Sequence, residues 1–514
     1  MFHLVERNID GQHAASYVSA NSPRIVEVMV DPSSQPEVVQ AAISRRNFLR
    51  AAGLGATTLA FTSPLLAACS SSKKTPAAAT SSAASTTAAA PSASASAGTS
   101  AAATSAAATS APAVASGGPS AGTIKIGYVS PITGPAAGFG EPDGYVLSLA
   151  RKAFASGIVI GGKKWDVQII DKDGQSDPAR AAQVANDLIN SSKVDLMLAT
   201  STPEQVNPVS DACEAAGVPC VSTVVPWEAW YYGRGAKPGN NAAYKFTYHF
   251  CFGTQQFDNA YTTMWPQVST NKKVGVMWPN DADGNAIRSN LGPLLTKAGY
   301  TIVDPGAYTD GTNDYSSQIN KFKSGDCEIF NTFPIPPDFA TFWQQAAQQG
   351  YKPKIAQIAK TGLFPSQVEA LGSIGYGVAS GIYWGETWPY TSSLTGVSSA
   401  DLATGYQTAS GKQWNQQLGA SLALFDVAAA ALKASSDPHD KTGLSTAIST
   451  LSVMTPVGQL QWGKGPNANV VVTPIIGGQW VKAPAGPYKL AFVICEHSSD
   501  TNVPIAGTLQ PYGA

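Results

Sequence analysis

From residue 123 onward, short apolar runs alternate with longer stretches whose apolar positions recur every three or four residues. Residues 124–129 read Ile-Lys-Ile-Gly-Tyr-Val, the period-two pattern of a strand. A turn-rich loop, Ser130-Pro131-Ile132-Thr133-Gly134-Pro135, leads into a helix predicted from about residue 141. Strand 165–170 and an Asp-Gly loop follow, then a helix over 177–190, where Asp177 suits the N-cap and Pro178 the first helical position. Strand 194–199, loop 200–205, a helix ending near Gly217 and strand 218–223 complete a first set. The pattern breaks over 244–254 and restarts with strand 274–278, loop 280–284, helix 286–298, strand 300–304, helix 315–324, strand 328–333 and helix 339–349. A repeat of about 25–30 residues is roughly the size of a βαβ unit, so two sets predict an α/β fold of two lobes. Each lobe is a mainly parallel sheet flanked by helices. Ligands of such sheets lie beyond the carboxyl ends of the strands, and two facing lobes enclose a cleft there.

Composition changes the picture upstream. The chain has 514 residues and only 13% charged residues, against about 25% in an ordinary soluble domain. Much of the deficit lies in 70–122, which is almost all Ala, Ser, Thr, Pro and Gly, with Lys73 and Lys74 as its only charges. Such a stretch cannot bury enough apolar surface to offset its ordering entropy, and it reads as a disordered tether. A net charge of -1 excludes the basic footprint of a nucleic-acid binder or of a polybasic membrane-surface protein. A mean hydropathy of -0.04 excludes a polytopic membrane protein.

Residues 1–69 read as an address. Ser44-Arg45-Arg46-Asn47-Phe48-Leu49-Arg50 precedes an apolar, small-residue stretch over 51–68, the order of a twin-arginine export signal. The stretch is too short and glycine-rich for a permanent span. Its ending, Leu66-Ala67-Ala68-Cys69, resembles the lipobox of bacterial lipoproteins. That resemblance implies acylation of Cys69 and a mature chain anchored on the outer face of the cytoplasmic membrane. The expected partners in export are the twin-arginine and lipoprotein-processing machineries. The residues before Ser44 make either an unusually long leading region or a sign that translation starts further in, at Met29.

The folded part resembles the type I periplasmic solute-binding proteins of ABC importers, in particular the leucine/isoleucine/valine-binding branch. The resemblance is carried by Ile124-Lys125-Ile126-Gly127, by 133–141 (Thr-Gly-Pro-Ala-Ala-Gly-Phe-Gly-Glu), and by 171–178 (Asp-Lys-Asp-Gly-Gln-Ser-Asp-Pro) with the helix after it. Val457-Gly458-Gln459-Leu460-Gln461-Trp462 and Gly478-Gln479-Trp480 also match. It implies lobe one over 123–247 plus 386–456 and lobe two over 248–385 plus 457–514. Three crossovers would lie near 248–253, 384–388 and 456–457. It implies a monomer without cofactor, which binds a small solute by lobe closure and passes it to the permease subunits of an ABC importer.

The same resemblance points to residues. Phe139 falls where the family sets an aromatic over the solute; it is either that or plain core, and its neighbours Gly138 and Gly140 favour a loop at the cleft. Ser201 and Thr202 follow a strand and precede a helix, where they either cap that helix or hold a carboxylate, and can do both. Thr223 and Val224 end the next strand, at the family's contacts to carboxylate and amine. Trp227, Trp230, Tyr231 and Tyr232 form either a cleft wall with cation–π capacity or a packing cluster. In lobe two, Trp278 and Asp281 lie beyond a strand end, although the Asp281/Asp283 pair also reads as capping. Ile335 and Pro336 occupy a second such loop. Branched-chain binders place an acidic residue near position 360; here Ala359 or Lys360 stands there. A lysine repels an ammonium and attracts an anion, so the expected solute is an organic acid, an amide or an aromatic compound.

Cys213 ends a helix, and Gly217-Val218-Pro219 turns back to Cys220, so a disulfide between them is expected in an oxidising compartment. The family's usual disulfide joins positions held here by Ser176 and about Thr202. An alternative to transport is a ligand-sensing receptor of the same fold acting with a separate signalling chain. Catalysis finds no support: His249, His439 and His497 have no metal-ligand spacing, no Gly-x-Ser-x-Gly elbow occurs, and 138–144 misses the dinucleotide fingerprint by one residue.

Overall fold

A computed structural model describes residues 2–9, 12–19, 26–27 and 119–514. Arg45, Arg46, Cys69, the start at Met29 and the tether up to 118 lie outside the described residues. Met1–Ala106 forms one unit and Ala107–Ala514 another. In the first, Phe2–Ile9, Gln12–Ser19 and Val26–Glu27 make a three-stranded antiparallel sheet, with Phe2 opposite Ser19 and Ile9 opposite Gln12.

The second unit has two seven-stranded sheets, each mainly parallel. The first runs, from edge to edge, Val470–Val471, Thr247–Phe250, Cys220–Thr223, Leu196–Thr200, Thr123–Ser130, Lys163–Asp173 and Ile158–Ile160, with only the last pairing antiparallel. The second runs Thr301–Val303, Lys273–Met277, Ile329–Thr332, Ile355–Ile358, Ala379–Ile382, Ile476–Lys482 and Leu490–Ile494, the final two antiparallel. Central strands such as Leu196–Thr200 and Ile329–Thr332 are buried on both faces, as expected of parallel strands covered by helices on each side.

Residues just before 123 are already paired with the sheet. Ala121 N donates to Lys164 O at 2.7 Å, and Asp166 N to Gly122 O at 2.9 Å. The helix after the Asp-Gly loop is Pro178–Asp187, and Asp177 does cap it, accepting from Arg180 N at 2.7 Å. Strand Thr247–Phe250 lies inside the segment read as a break. Its four residues are buried on both faces, so no alternation marks it. Its His249 ring stacks on Trp230 at 4.8 Å.

The chain passes between the sheets three times: after Phe250, after Ile382, and between Val471 and Ile476. The third passage comes later than the expected 456–457, because Val470–Val471 pairs with Thr247–Phe250 and so returns to the first sheet. The boundary expected at 247/248 likewise moves past Phe250. Between the second and third passages, helix Gln417–Ala434 packs on helix Asp143–Phe154 and on strands Cys220–Thr223 and Ile158–Ile160. It is buried on nearly every side, the mark of a core helix rather than a surface one.

Candidate ligand-binding cleft

The carboxyl ends of the strands in both sheets converge on one cleft of about 420 Å³, counting the part open to solvent. That volume suits a small molecule. From the first sheet, Phe139, Ser201, Thr202, Val224 and Pro226 line it; from the second, Asp283, Phe333, Ala359, Lys360, Leu363 and Gly381. Phe252 and Phe257, on either side of the start of helix Thr254–Met264, close it at the first passage.

The backbone is strained where it turns at the cleft. Ser201 has φ 119°, Val224 φ 76° and Lys360 φ 48°. A positive φ at a β-branched residue is a real outlier, and each such position costs about 1–3 kcal/mol unless its surroundings enforce it. All three are buried.

The first-sheet side favours anions. Thr202 stands at the N-cap of helix Pro203–Ala216, yet its hydroxyl makes no capping bond, and Ser201 Oγ is buried with no partner in the protein. These hydroxyls sit at a helix N-terminus whose first N–H groups have no intrahelical acceptor.

The second-sheet side is acidic. Lys360 Nζ lies 3.0 Å from Asp281 Oδ2 and 2.9 Å from Asp283 Oδ2. Asp281 Oδ1 accepts from Gly284 N at 2.6 Å and caps helix Ala282–Lys297. Burial alone lowers Lys360, but Asp281, Asp283 and Glu204 outweigh it and hold the ammonium well above its ordinary value. Burial pushes Asp283 up to about 7, with Lys360 opposing and the charges of Asp281 and Glu204 adding. Asp310 rises to about 6, mainly by burial and then by Asp281. Lys360 therefore does not present an open positive charge, contrary to the expectation that it attracts an anion: two carboxylates from beyond the end of strand Lys273–Met277, two strands away in the sheet, already pair with it.

The remaining candidates divide. Phe139 meets Phe364 of the opposite side edge-on at 4.8 Å. Thr223 does not line the cleft, because its hydroxyl donates to Phe250 O at 2.7 Å. Trp278 is a core residue whose Nε1 donates to Asn331 Oδ1 at 2.9 Å. Asp281 is not among the lining residues, and Ile335 and Pro336 begin helix Pro336–Gln348 away from the lining, where Phe333 takes their place. Trp227 packs at the first passage: a Cβ on Gly253 would come within 2.2 Å of its Nε1. The other aromatics form a packing cluster, with Arg234 over Trp230 at 4.7 Å and over Tyr244 at 3.9 Å. Beside it, Glu228 accepts from Thr254 N at 2.9 Å and Oγ1 at 2.7 Å, bracing that passage.

Cys213 and Cys220 are free, buried thiols, so the expected disulfide is not formed. Burial raises the Cys213 thiol well above its ordinary value, and the adjacent Cys220 raises it further. Both belong to the apolar layer between helix Pro203–Ala216 and the sheet, where each fills space as a small apolar group. Sequence reasoning missed Pro226, Phe252, Phe257, Leu363 and Gly381. Nothing local marks them: Phe252 and Phe257 reach the cleft at the first passage, Leu363 in the helical turn Lys360–Leu363 and Gly381 within strand Ala379–Ile382.

A periplasmic binding protein family model matches residues 123–484. The Leu/Ile/Val-binding protein homolog 8 of Brucella abortus is 23% identical over 377 residues, 70% of this chain and 88% of that one. Two solved structures share the fold. The branched-chain amino acid transporter substrate-binding protein LivJ of Streptococcus pneumoniae, in complex with isoleucine, has a TM-score of 0.56 at 17% identity, covering 73% of this chain and 100% of the other. A solute-binding protein of an ABC transporter from R. palustris, in complex with 4-hydroxybenzoate, has a TM-score of 0.61 at 16% identity, covering 74% and 98%.

Proposed function

The chain belongs to the periplasmic binding protein family, in its type I, Leu/Ile/Val-binding-like branch, and we propose that it is the exported solute-binding component of an ABC importer. The observation that carries this reading is the cleft itself. Strand ends of two sheets face each other across it, with unpartnered hydroxyls on one side, a carboxylate on the other and phenylalanines between. The solute is a small carboxylic acid with an apolar or aromatic body. Its carboxylate meets Ser201, Thr202 and the N-terminus of helix Pro203–Ala216, and its body meets Phe139, Phe252, Phe257 and Phe333. Isoleucine and 4-hydroxybenzoate, held by the two structural neighbours, are both carboxylates of that size.

Binding works without covalent chemistry. With the lobes apart, either side makes only half the contacts; a bound solute bridges both and favours the closed form. The permease then distinguishes closed from open. The family is extracytoplasmic, and the twin-arginine signal and Cys69 supply the export route and the lipid anchor. Titration calorimetry of the purified chain with apolar amino acids, their deaminated counterparts and hydroxybenzoates tests the solute class. One-to-one saturable binding by at least one set is expected; no heat from any of them sinks the reading. Membrane fractionation of Cys69→Ala tests the anchor: the variant is expected in the soluble exported fraction.

A further inference from the structure

We propose that the chain carries a second binding site, separate from the cleft between the sheets, which takes the hydroxyl groups of a neutral saccharide. The site is a groove of about 580 Å³, counting the part open to solvent, between helix Lys441–Ser449 and the segment 242–248. Lys245 and Tyr248 stand at the amino end of strand Thr247–Phe250, whereas the cleft lies at the carboxyl ends of the strands. The two share no lining residue.

The chemistry of the groove begins with Asn469. It lines the groove yet is only 3% exposed. Its Nδ2 donates to Thr247 O at 2.8 Å, and that carbonyl fixes which end of the amide is nitrogen. Its Oδ1 accepts from no protein group among the described residues. A nearly buried amide oxygen on the wall of a groove calls for a donor.

The hydroxyls around it already use their hydrogens. Ser445 Oγ donates to Lys245 O at 2.7 Å, Thr446 Oγ1 to Thr442 O at 2.9 Å and Ser449 Oγ to Thr446 O at 2.8 Å. Tyr248 OH donates to Ser445 O at 2.9 Å, and Tyr244 OH to Tyr231 O at 2.9 Å. What these oxygens still offer is lone pairs, so the occupant must supply the hydrogens. Charge then narrows the class. An anion would meet mainly lone pairs. A cation would meet Lys245, the one charged residue of the lining, and no carboxylate. An apolar occupant would leave Asn469 Oδ1 unpaired. A neutral molecule with several hydroxyls donates to these oxygens, and its C–H faces rest on Ala242, Tyr244 and Ala468. Free sugars and the glycan strands of a cell envelope share that chemistry.

The test is calorimetric titration of the full chain at pH 6.5 with glucose, N-acetylglucosamine and the N-acetylglucosamine tetramer, and with glucosamine and glucuronate as charged counterparts. At least one neutral sugar is expected to bind saturably, at least about tenfold more tightly than either charged one. Tighter binding of the tetramer than of the monosaccharides marks a glycan, and equal binding marks a free sugar. Asn469→Leu removes the free acceptor but also the bond to Thr247 O, so the deciding variant is Thr446→Trp, which fills the groove from an exposed helix position. It is expected to weaken sugar binding by about tenfold or more. The thermal midpoint and any binding of isoleucine or 4-hydroxybenzoate in the cleft are expected to stay unchanged. No saturable binding of a neutral sugar, sugar binding untouched by Thr446→Trp, or equal affinity for the charged sugars overturns the inference and leaves the reading of the cleft as it is.

Discussion

Lys360 is 6% exposed, with two carboxylates within 3.0 Å. As a residue in a sequence it announces a positive charge at a strand end. In the fold it is the centre of an ion cluster whose sum is negative. Removing one member of a buried charge cluster leaves the others without compensation, at a cost of about 3–5 kcal/mol. Lys360→Met is therefore expected to lower stability by that amount in urea titrations at pH 7.5. Part of the loss should return at pH 5, where Asp283, raised to about 7 by burial, takes up a proton. A change below about 1 kcal/mol would show that the cluster is not stabilising. Thr202 makes the complementary point. The sequence left capping and solute binding both open, and in the structure the hydroxyl makes no capping bond.

At the scale of elements, helix Gln417–Ala434 passes the length and hydropathy tests of a membrane span, with a mean hydropathy of 1.3, yet most of it is buried within the protein. What makes it a core helix is its fit. Gly419 lies against the Trp384 ring so closely that a Cβ would come within 2.2 Å of it. Gly419→Val is expected to destabilise by about 1–3 kcal/mol through overpacking, seen as a lower urea midpoint with unchanged slope. The periodicity finds the βαβ elements to within a few residues, because strands covered on both faces are continuous apolar runs and their helices carry caps such as Asp177. It misses Thr247–Phe250, where a histidine and a threonine stand in a fully buried strand. That His249 is tolerated because burial lowers its pKa to about 3 and keeps it neutral, with Ser222 Oγ 2.8 Å from Nδ1 and Val225 O 2.8 Å from Nε2.

At the scale of the whole molecule, buried acids tie distant segments together. Asp143 accepts from Tyr128 at 2.7 Å, from Ser130, and from Ser421 at 3.3 Å, joining the first strand to helix Gln417–Ala434. Asp426 accepts from Ser392 and from Leu394 N, both at 2.7 Å. Burial raises each to about 7, against hydrogen bonds that lower it. In the unfolded chain both titrate at about 3.9. Between about pH 4 and 7 the folded state thus holds protons that the unfolded state has released, and stability falls as pH rises through that window. Stability is expected to be higher at pH 5 than at pH 7.5 by at most about 2.5 kcal/mol per group, read as a higher thermal midpoint at pH 5, and Asp143→Asn should flatten the profile. The sequence by itself determined the α/β class and the two lobes, because strand and helix periods are local properties of the chain. Strand ends read from the same periods put Ser201 and Thr202 at the cleft, and the family resemblance pointed to Phe139 and Val224, which line it too. Only the tertiary structure decided that Lys360 is paired, that Asp283 lines the cleft and that phenylalanines from the first passage complete the wall. Charge compensation and burial are sums over groups far apart in the chain, and no local pattern contains them.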